Sequence, residues 1–443
     1  MGIWNVITHF GASDASTIVI GFLVYFMDNI LLTAVVPVLP DFLEDEADRL
    51  TNGTQTAAAR SELQGQIGIL FGSKSILQII FNPLAGYFAY SFGYKILIYC
   101  GTVIYGISAL MFAVCESYVG LFIARSIHGI GSAISIIAGL SLLATTYPED
   151  TARSRAMGFA LGGMAVGVLV GYPLGGFVYG FCTKLALFLL IFSMIVVCGA
   201  IQYVLLRCRP EAVIVSPTPV STVKTFLKDP YVVLCLLSIG ISTASIATLE
   251  PCLPIWLRKS IKPKEWELGT AFLPDSIGYL IGTNLFGIVA LKVGRWLCAF
   301  ASHVSISLSL FLIPFSTSMA HLIFPHFGVG LGIAVIDASL MPFLALVVER
   351  RCADGVYTTI YALSQTAVCC AYALGPFIGA WLMAAIGFRG MLWGLATVNF
   401  LFSPITFCLR VTMTEDEEEE HQSILHSDLN YHQMRVSPLL DSD

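Results

Sequence analysis

The sequence predicts an all-α membrane protein of twelve transmembrane helices, arranged as two pseudo-symmetric halves of six. Three observations carry that reading. Of 443 residues, 56% are hydrophobic and only 12% charged, a balance too apolar for a soluble domain. The apolar residues fall into roughly twelve stretches of about 20, each long enough to cross a hydrocarbon core as a helix. Short glycine and proline patterns recur between the first six stretches and the last six, the mark of a duplicated membrane fold. Strand alternation is not evident, which argues against an outer-membrane barrel.

Spans 1 to 6 begin near residues 15, 65, 96, 119, 155 and 184, and spans 7 to 12 near residues 231, 267, 296, 320, 356 and 388. Span 1 ends in "PVLP" (Pro37 to Pro40) and leads into an acidic loop, about 41–64, containing "DFLEDEADRL" and "NGT". Asn52 is an N-glycosylation acceptor if that loop faces a lumen. The longest polar interruption, "RCRPEAVIVSPTPVSTVKTFLKDP", reads as a linker over 207–230 between halves at 1–206 and 231–410, with an acidic tail at 411–443. With both termini cytosolic, about 13 Lys and Arg lie on the cytosolic side against about 8 opposite, the expected direction of the charge bias. No basic leader precedes span 1, so that span serves as its own targeting signal.

The twelve cysteines fall almost wholly in spans or cytosolic segments, where they act as small buried hydrophobes, and no disulfide is expected. No zinc-ligand spacing, Walker loop or nucleophile elbow occurs, so neither an enzyme nor an ATP-driven pump is expected, and no metal, cofactor or nucleic acid is implied.

Three patterns repeat in order. "GYFAYSFGYK" (Gly86, Ala89, Gly93, Lys95) between spans 2 and 3 returns about 201 residues later as "GIVALKVGRW" (Gly287, Ala290, Gly294, Arg295) between spans 8 and 9. "GYPLGG" in span 5 returns as "GPFIGA" in span 11, and "PVLP" returns in span 7 as "PCLP" (Pro251 to Pro254). Small residues let helices approach and slide, and prolines open the hydrogen-bond ladder where a helix bends.

A charge at mid-bilayer costs about 2.5 to 3.5 kcal/mol, so each charged residue inside a span is a functional candidate. These are Asp28, Lys74, Arg125, Glu250, Asp275 and Asp337, with His128 as a seventh. Four acids against two bases suit a cationic substrate, and carboxyls that take and release protons suit proton coupling. Plainer readings stand beside these: Asp28 paired with Lys74, Glu250 capping a helix broken at Pro251, Arg125 holding a bundle together, and Asp275 at a water boundary. Asp337, in "VGLGIAVIDASLMPF", has only small and apolar neighbours. Phe71, Trp256, Tyr279, Tyr361 and Tyr372 flank the charges as an aromatic cage for a cation or as ordinary packing.

The repeated loop resembles a motif of the major facilitator superfamily, with Tyr90 and Ser91 where that motif has an acid and a base. The resemblance implies two six-helix bundles around a central cavity. Span 4, "IARSIHGIGSAI", is similar to the second motif of that superfamily through Arg125, Gly129 and Gly131. Span 5 resembles its antiporter motif through Gly158, Gly167, Gly171, Gly175 and Gly176, with the proline displaced by one position to Pro173.

More narrowly, "DNILLTAVVPVLP", "GILFGSKSILQIIFNPLAG", "LEPCLPIWL", "AFLPDSIGYLIGTNLFGI" and "HFGVGLGIAVIDASLMP" resemble the vesicular amine transporters, chiefly the monoamine members. The resemblance implies proton-coupled loading of cationic amines into acidic secretory or synaptic vesicles. It implies Asp28 paired with the substrate ammonium, Glu250 and Tyr279 lining its site, Lys74 in a buried ionic network, and a coupling proton on Asp337; Asn29, beside Asp28, joins the candidate substrate residues and Arg125 the candidate network on their position alone. The tail "EEEEHQSIL", with Glu420 four residues before Ile424 and Leu425, is similar to a dileucine-type signal read by sorting adaptors.

The chain departs from that family at Gln365, where span 11 has an acid, at Cys352, near a functional His, and at Thr243, a polar amide position. The first luminal loop also lacks the cysteine of the family's luminal disulfide. Asp275 stands where the relatives have a small residue, and is expected to restore the lost charge from span 8. A drug or polyamine proton antiporter of the same superfamily, or a coupling-deficient transporter-like protein, fits the same residues.

Overall fold

The computed structural model describes residues 14–51, 57–208, 220–263, 267, 270–351 and 357–410. The expected acceptor Asn52, Cys352 and the sorting residues Glu420, Ile424 and Leu425 lie outside the described residues. Among those described, every regular element is helical, and eleven helices are long and apolar enough to cross a membrane.

Spans 1 to 10 are Ala15–Leu39, Gln66–Ala89, Ser91–Val114, Tyr118–Thr146, Asp150–Phe181, Lys184–Arg207, Pro230–Ser260, Leu273–Val293, Arg295–Phe315 and Met319–Glu349. The eleventh helix, Tyr357–Leu409, has 53 residues. At 1.5 Å per residue it is roughly 80 Å long, over twice the thickness of a hydrocarbon core. It turns at Gly387, with φ 75° and ψ 168°, and so supplies spans 11 and 12.

The same device separates spans 2 and 3 at Gly93 (φ 78°) and spans 8 and 9 at Gly294 (φ 101°). A side chain at positive φ is strained, so only glycine lets the chain reverse within one residue. Gly93 and Gly294 close the two repeated loop patterns, which therefore encode the turns between helices.

Burial repeats with the halves. The share of each apolar span that is buried is 67% in spans 1 and 7, 39% in spans 2 and 8, 50% in spans 3 and 9, and 89% in spans 4 and 10. Spans 4 and 10 thus hold equivalent central places. Val103, Phe177, Phe324 and Trp381 face outward, while His128, Arg153 and Gln202 are buried, the inverse of a soluble surface and the arrangement that lipid favours.

Three expectations are corrected. The helix of span 1 runs unbroken through Thr51, so the expected loop over 41–64 is helical up to that residue and again from Ala57. Span 7 continues through Pro251 and Pro254, so Glu250 caps no broken helix; neighbouring helices in a membrane re-satisfy the carbonyls that a proline frees. Within the expected linker, Val220–Lys228 is a helix, with Phe226 buried against the core, and the Asp229 carboxylate caps span 7 by accepting from the Tyr231 N–H at 3.0 Å.

Candidate functional site

The glycines of span 5 place the site. Gly163, Gly167, Gly171 and Gly175 recur every fourth residue, on one face of the helix. A Cβ on any of them would collide with span 1, at Phe22, Asn29, Thr33 and Ala34 in turn. Gly158 and Gly162 present a second face to Thr283 and Asn284 of span 8. One helix thus packs tightly on its own bundle and on the other. Gly176 of the same motif has nothing within 4 Å.

Asp28 is brought to its partners by a similar close approach. A Cβ on Gly129 would run into the Lys74 carbonyl, so spans 2 and 4 meet backbone to backbone. The Asp28 carboxylate then takes Lys74 Nζ on Oδ2 at 3.0 Å, and His128 Nε2 on Oδ1 at 3.0 Å. Ser132 donates to the same Oδ1. All four residues are at least nine-tenths buried. Asn29, expected at the substrate, turns its amide back to the Tyr25 carbonyl at 2.9 Å and packs on Gly167.

The other bundle carries its acids differently. Gly278 and Gly282 lie against the span 10 backbone and Ala334, which brings the Tyr279 hydroxyl to Asp337 Oδ2 at 2.7 Å. Glu250 accepts from the hydroxyl of Tyr172, a residue of the opposite bundle. Asp275 stands in the first turn of span 8, a favourable place for an acid. Its Oδ1 and that of Asp337 are buried without a hydrogen-bond partner. Asp28 therefore faces the Lys74 ammonium as well as neutral donors, whereas the hydrogen-bond partners of Glu250 and Asp337 are neutral hydroxyls.

Arg125 lies within electrostatic reach of Glu250 and Asp28. It donates to the Leu32 carbonyl at 3.4 Å, and its guanidinium sits 5.4 Å from the centre of the Phe71 ring. Phe71 thus covers a cation of the protein itself. Cys369 of span 11 lies within electrostatic reach of Lys74 and Asp28. Gln365, buried one turn earlier on the same helix face, offers an amide where an acid is expected from the resemblance.

The aromatic cage forms only in part. Tyr372 lies within electrostatic reach of Glu250, Asp275 and Asp337, and Tyr279 holds Asp337. Trp256 instead stacks on Phe388, with centroids 4.7 Å apart and planes 11° from parallel, which is packing within one bundle. Tyr361 is fully buried and directs its hydroxyl to the Met157 sulfur at 3.5 Å, across to the other bundle.

Two sets of contacts, which the sequence reading did not identify, close the interface between bundles at opposite ends. At one end Arg153, wholly buried, bridges Asp150 at 3.1 Å and Glu349 at 2.5 Å, and Arg295 also pairs with Asp150. Tyr94 meets Thr358 there at 3.4 Å. Toward the other end the Tyr172 ring stacks on Phe272 at 5.2 Å while its hydroxyl holds Glu250. Arg153 and Tyr172 are separated on one helix by nearly twenty residues, or about 28 Å at 1.5 Å per residue. Asp28 and Asp337, both buried, lie between the two closed ends, and Glu250 belongs to the second closure itself.

The family model of the Major Facilitator Superfamily matches residues 17–368. The human synaptic vesicular amine transporter is 43% identical over 356 residues, covering 80% of this chain and 68% of that protein. The rat chromaffin granule amine transporter is 35% identical, covering 90% of this chain and 88% of its own. A probable vesicular acetylcholine transporter of Danio rerio is 31% identical, covering 90% and 79%. Among solved structures, the human organic anion transporter MFSD10 superposes with a TM-score of 0.72 at 16% identity, covering 88% of this chain and 99% of that one, which speaks for the fold alone.

Proposed function

The chain belongs to the Major Facilitator Superfamily and, within it, to the vesicular amine transporters, and on that premise we propose that it exchanges luminal protons for a cationic amine by alternating access. The observation that carries the proposal is the contrast between acids. Asp28 is neutralised by Lys74 inside one bundle, while Glu250 and Asp337, in the other, accept their hydrogen bonds from the hydroxyls of Tyr172 and Tyr279. A cation entering between them replaces protons on those carboxyls and competes with Lys74 for Asp28.

In this reading the units are an N-terminal bundle over 1–206, a linker over 207–230 and a C-terminal bundle over 231–410, with the acidic tail beyond. The amine meets Asp28, Glu250, Tyr279 and Tyr372. Asp337 carries a coupling proton, Lys74 and Arg125 belong to the ionic network, and Asp275 supplies from span 8 the charge that Gln365 lacks. The bundles rock about the midplane. Opening one end breaks Arg153 from Glu349, and opening the other parts Tyr172 from Glu250 and Phe272.

Both termini face the cytosol, the membrane is that of an acidic secretory or synaptic vesicle, Asn52 is glycosylated on the luminal side, and Glu420, Ile424 and Leu425 engage sorting adaptors. The test is uptake of labelled amines by purified protein in acid-interior proteoliposomes. Uptake that a proton ionophore abolishes supports the reading; an absence of gradient-dependent uptake of any amine refutes it.

A further inference from the structure

We propose that the outward furrow between spans 9 and 12 holds one phospholipid of net negative headgroup charge, with its phosphate on Arg389 and an acyl chain along the furrow.

Each helix gives one wall. Ser307, Leu308 and Phe311 of span 9 line one side and Trp393, Thr397 and Phe400 of span 12 the other, at spacings that keep each set on one helix face. The two helices are fastened together behind it. Ser307 donates to the Ala396 carbonyl at 2.8 Å, and His303 Nδ1 meets the Asn399 amide oxygen at 3.0 Å. Small side chains at this seam and large ones beside it make a furrow, with Leu308 and Phe400 each 58% exposed. Lipid is the solvent of this face, and a furrow that no chain enters forfeits dispersion contact along both walls.

Arg389 stands at the head of the furrow, exposed and two residues beyond the turn at Gly387. Its guanidinium lies 5.3 Å from the centre of the Phe315 ring and 5.7 Å from that of Trp393, and Trp393 stacks on Phe311 at 5.4 Å. Among the described residues no carboxylate pairs with it. Ring faces hold the cation in place without using its N–H donors, and those donors form the planar fork that grips a phosphate. The depth fits a lipid. Arg410, 5.4 Å from the centre of the Trp296 ring, marks the other boundary twenty-one residues on, roughly the 30 Å of a hydrocarbon core. From Arg389 to Phe400 is eleven residues, about 16 Å, close to the 15 Å or so of a single leaflet. A phosphate on Arg389 therefore places its acyl chain along the furrow as far as the midplane. Net negative charge is favoured because a zwitterionic headgroup brings its own cation and leaves Arg389 no surplus attraction. The site lies outside the cavity between bundles, so it stands apart from the transport reading.

Purified full-length protein in detergent, titrated with phosphatidylglycerol or phosphatidylcholine of the same acyl chains, tests the site through its thermal midpoint. Phosphatidylglycerol is expected to reach its half-maximal effect at about fivefold lower concentration. Arg389→Gln is expected to bring the two lipids level, and Thr397→Phe, which fills the furrow from an exposed position, to remove most of the response to both. A phosphatidylglycerol with a photoreactive diazirine on its acyl chain is expected to label spans 9 and 12 of the unmodified protein, a readout that needs no variant to fold. Equal effects of the two lipids on the unmodified protein overturn the proposal, as does a preference that Arg389→Gln leaves intact. Labelling confined to other spans also overturns it, and so does displacement of the probe by cholesterol but not by phosphatidylglycerol, which would make the furrow a sterol site.

Discussion

Asp28 and Lys74, separated by 46 positions, meet at 3.0 Å in a salt bridge that His128 and Ser132 complete on the second carboxylate oxygen. A buried charge left alone costs about 3 to 5 kcal/mol. Asp28→Asn is therefore expected to abolish amine uptake and also to lower the thermal midpoint, because Lys74 loses its partner. Adding Lys74→Met should restore the midpoint without restoring uptake. Thermal melts and vesicle uptake on the single and double variants check both halves, and uptake by the double variant would contradict the role given to Asp28.

Tyr172→Phe keeps the ring stacked on Phe272 and removes only the donor to Glu250. A hydrogen bond to a charged group contributes about 1.5 to 3 kcal/mol, so the end closed by Tyr172 should open roughly ten- to a hundredfold more often. The rate of backbone hydrogen exchange around Phe272, the stacking partner of Tyr172, reports that opening. An unchanged rate would mean that Tyr172 does not hold the interface.

The opposite end gives a matching expectation. Arg153→Met and Glu349→Gln, measured singly and together, should show a coupling of about 1 to 3 kcal/mol in stability. Each single variant should favour the state open at that end. Additive effects would place the two side chains outside a common latch.

Gly129→Ala forces a methyl group into the Lys74 backbone, which moves span 4 off span 2 and takes His128 and Ser132 away from Asp28. Loss of monodisperse protein in detergent, or a large fall in thermal midpoint, is expected. Gly176→Ala, which meets nothing within 4 Å, should behave as the parent. Size-exclusion profiles of the two variants, prepared together, make the comparison.

The parts legible in the sequence are those where one residue type solves one geometric problem. Gly93 and Gly294 stand out in the sequence because the loop pattern repeats, while the one-residue reversal they make is visible only in the fold; the glycines of span 5 stand out through the antiporter motif they resemble. The intramembrane acids were readable because charge in a span is costly. Tyr172 was not, since in "GYPLGG" the glycines and proline drew the reading and an aromatic residue in a span is ordinarily packing.

Asp150, Arg153, Arg295 and Glu349 escaped for another reason: near helix ends they look like the solvated charges of short loops, and only the fold reveals that Arg153 is fully buried. The adjacency of a basic residue to Gly294 in the repeated loop was the available signal. Trp256 and Tyr361 show the converse error, because nearness in sequence to a charge does not set the direction of a ring. Trp256 was claimed by Phe388 and Tyr361 by Met157.

The central claim is that cation entry and proton exit are one event at the buried carboxyls. The most direct measurement is the internal pH of acid-loaded proteoliposomes, followed with a trapped dye while an amine substrate is added outside. The account predicts an immediate rise in internal pH that saturates with amine concentration and disappears in Asp337→Asn. Amine accumulation without any rise in internal pH beyond that of protein-free vesicles would contradict it.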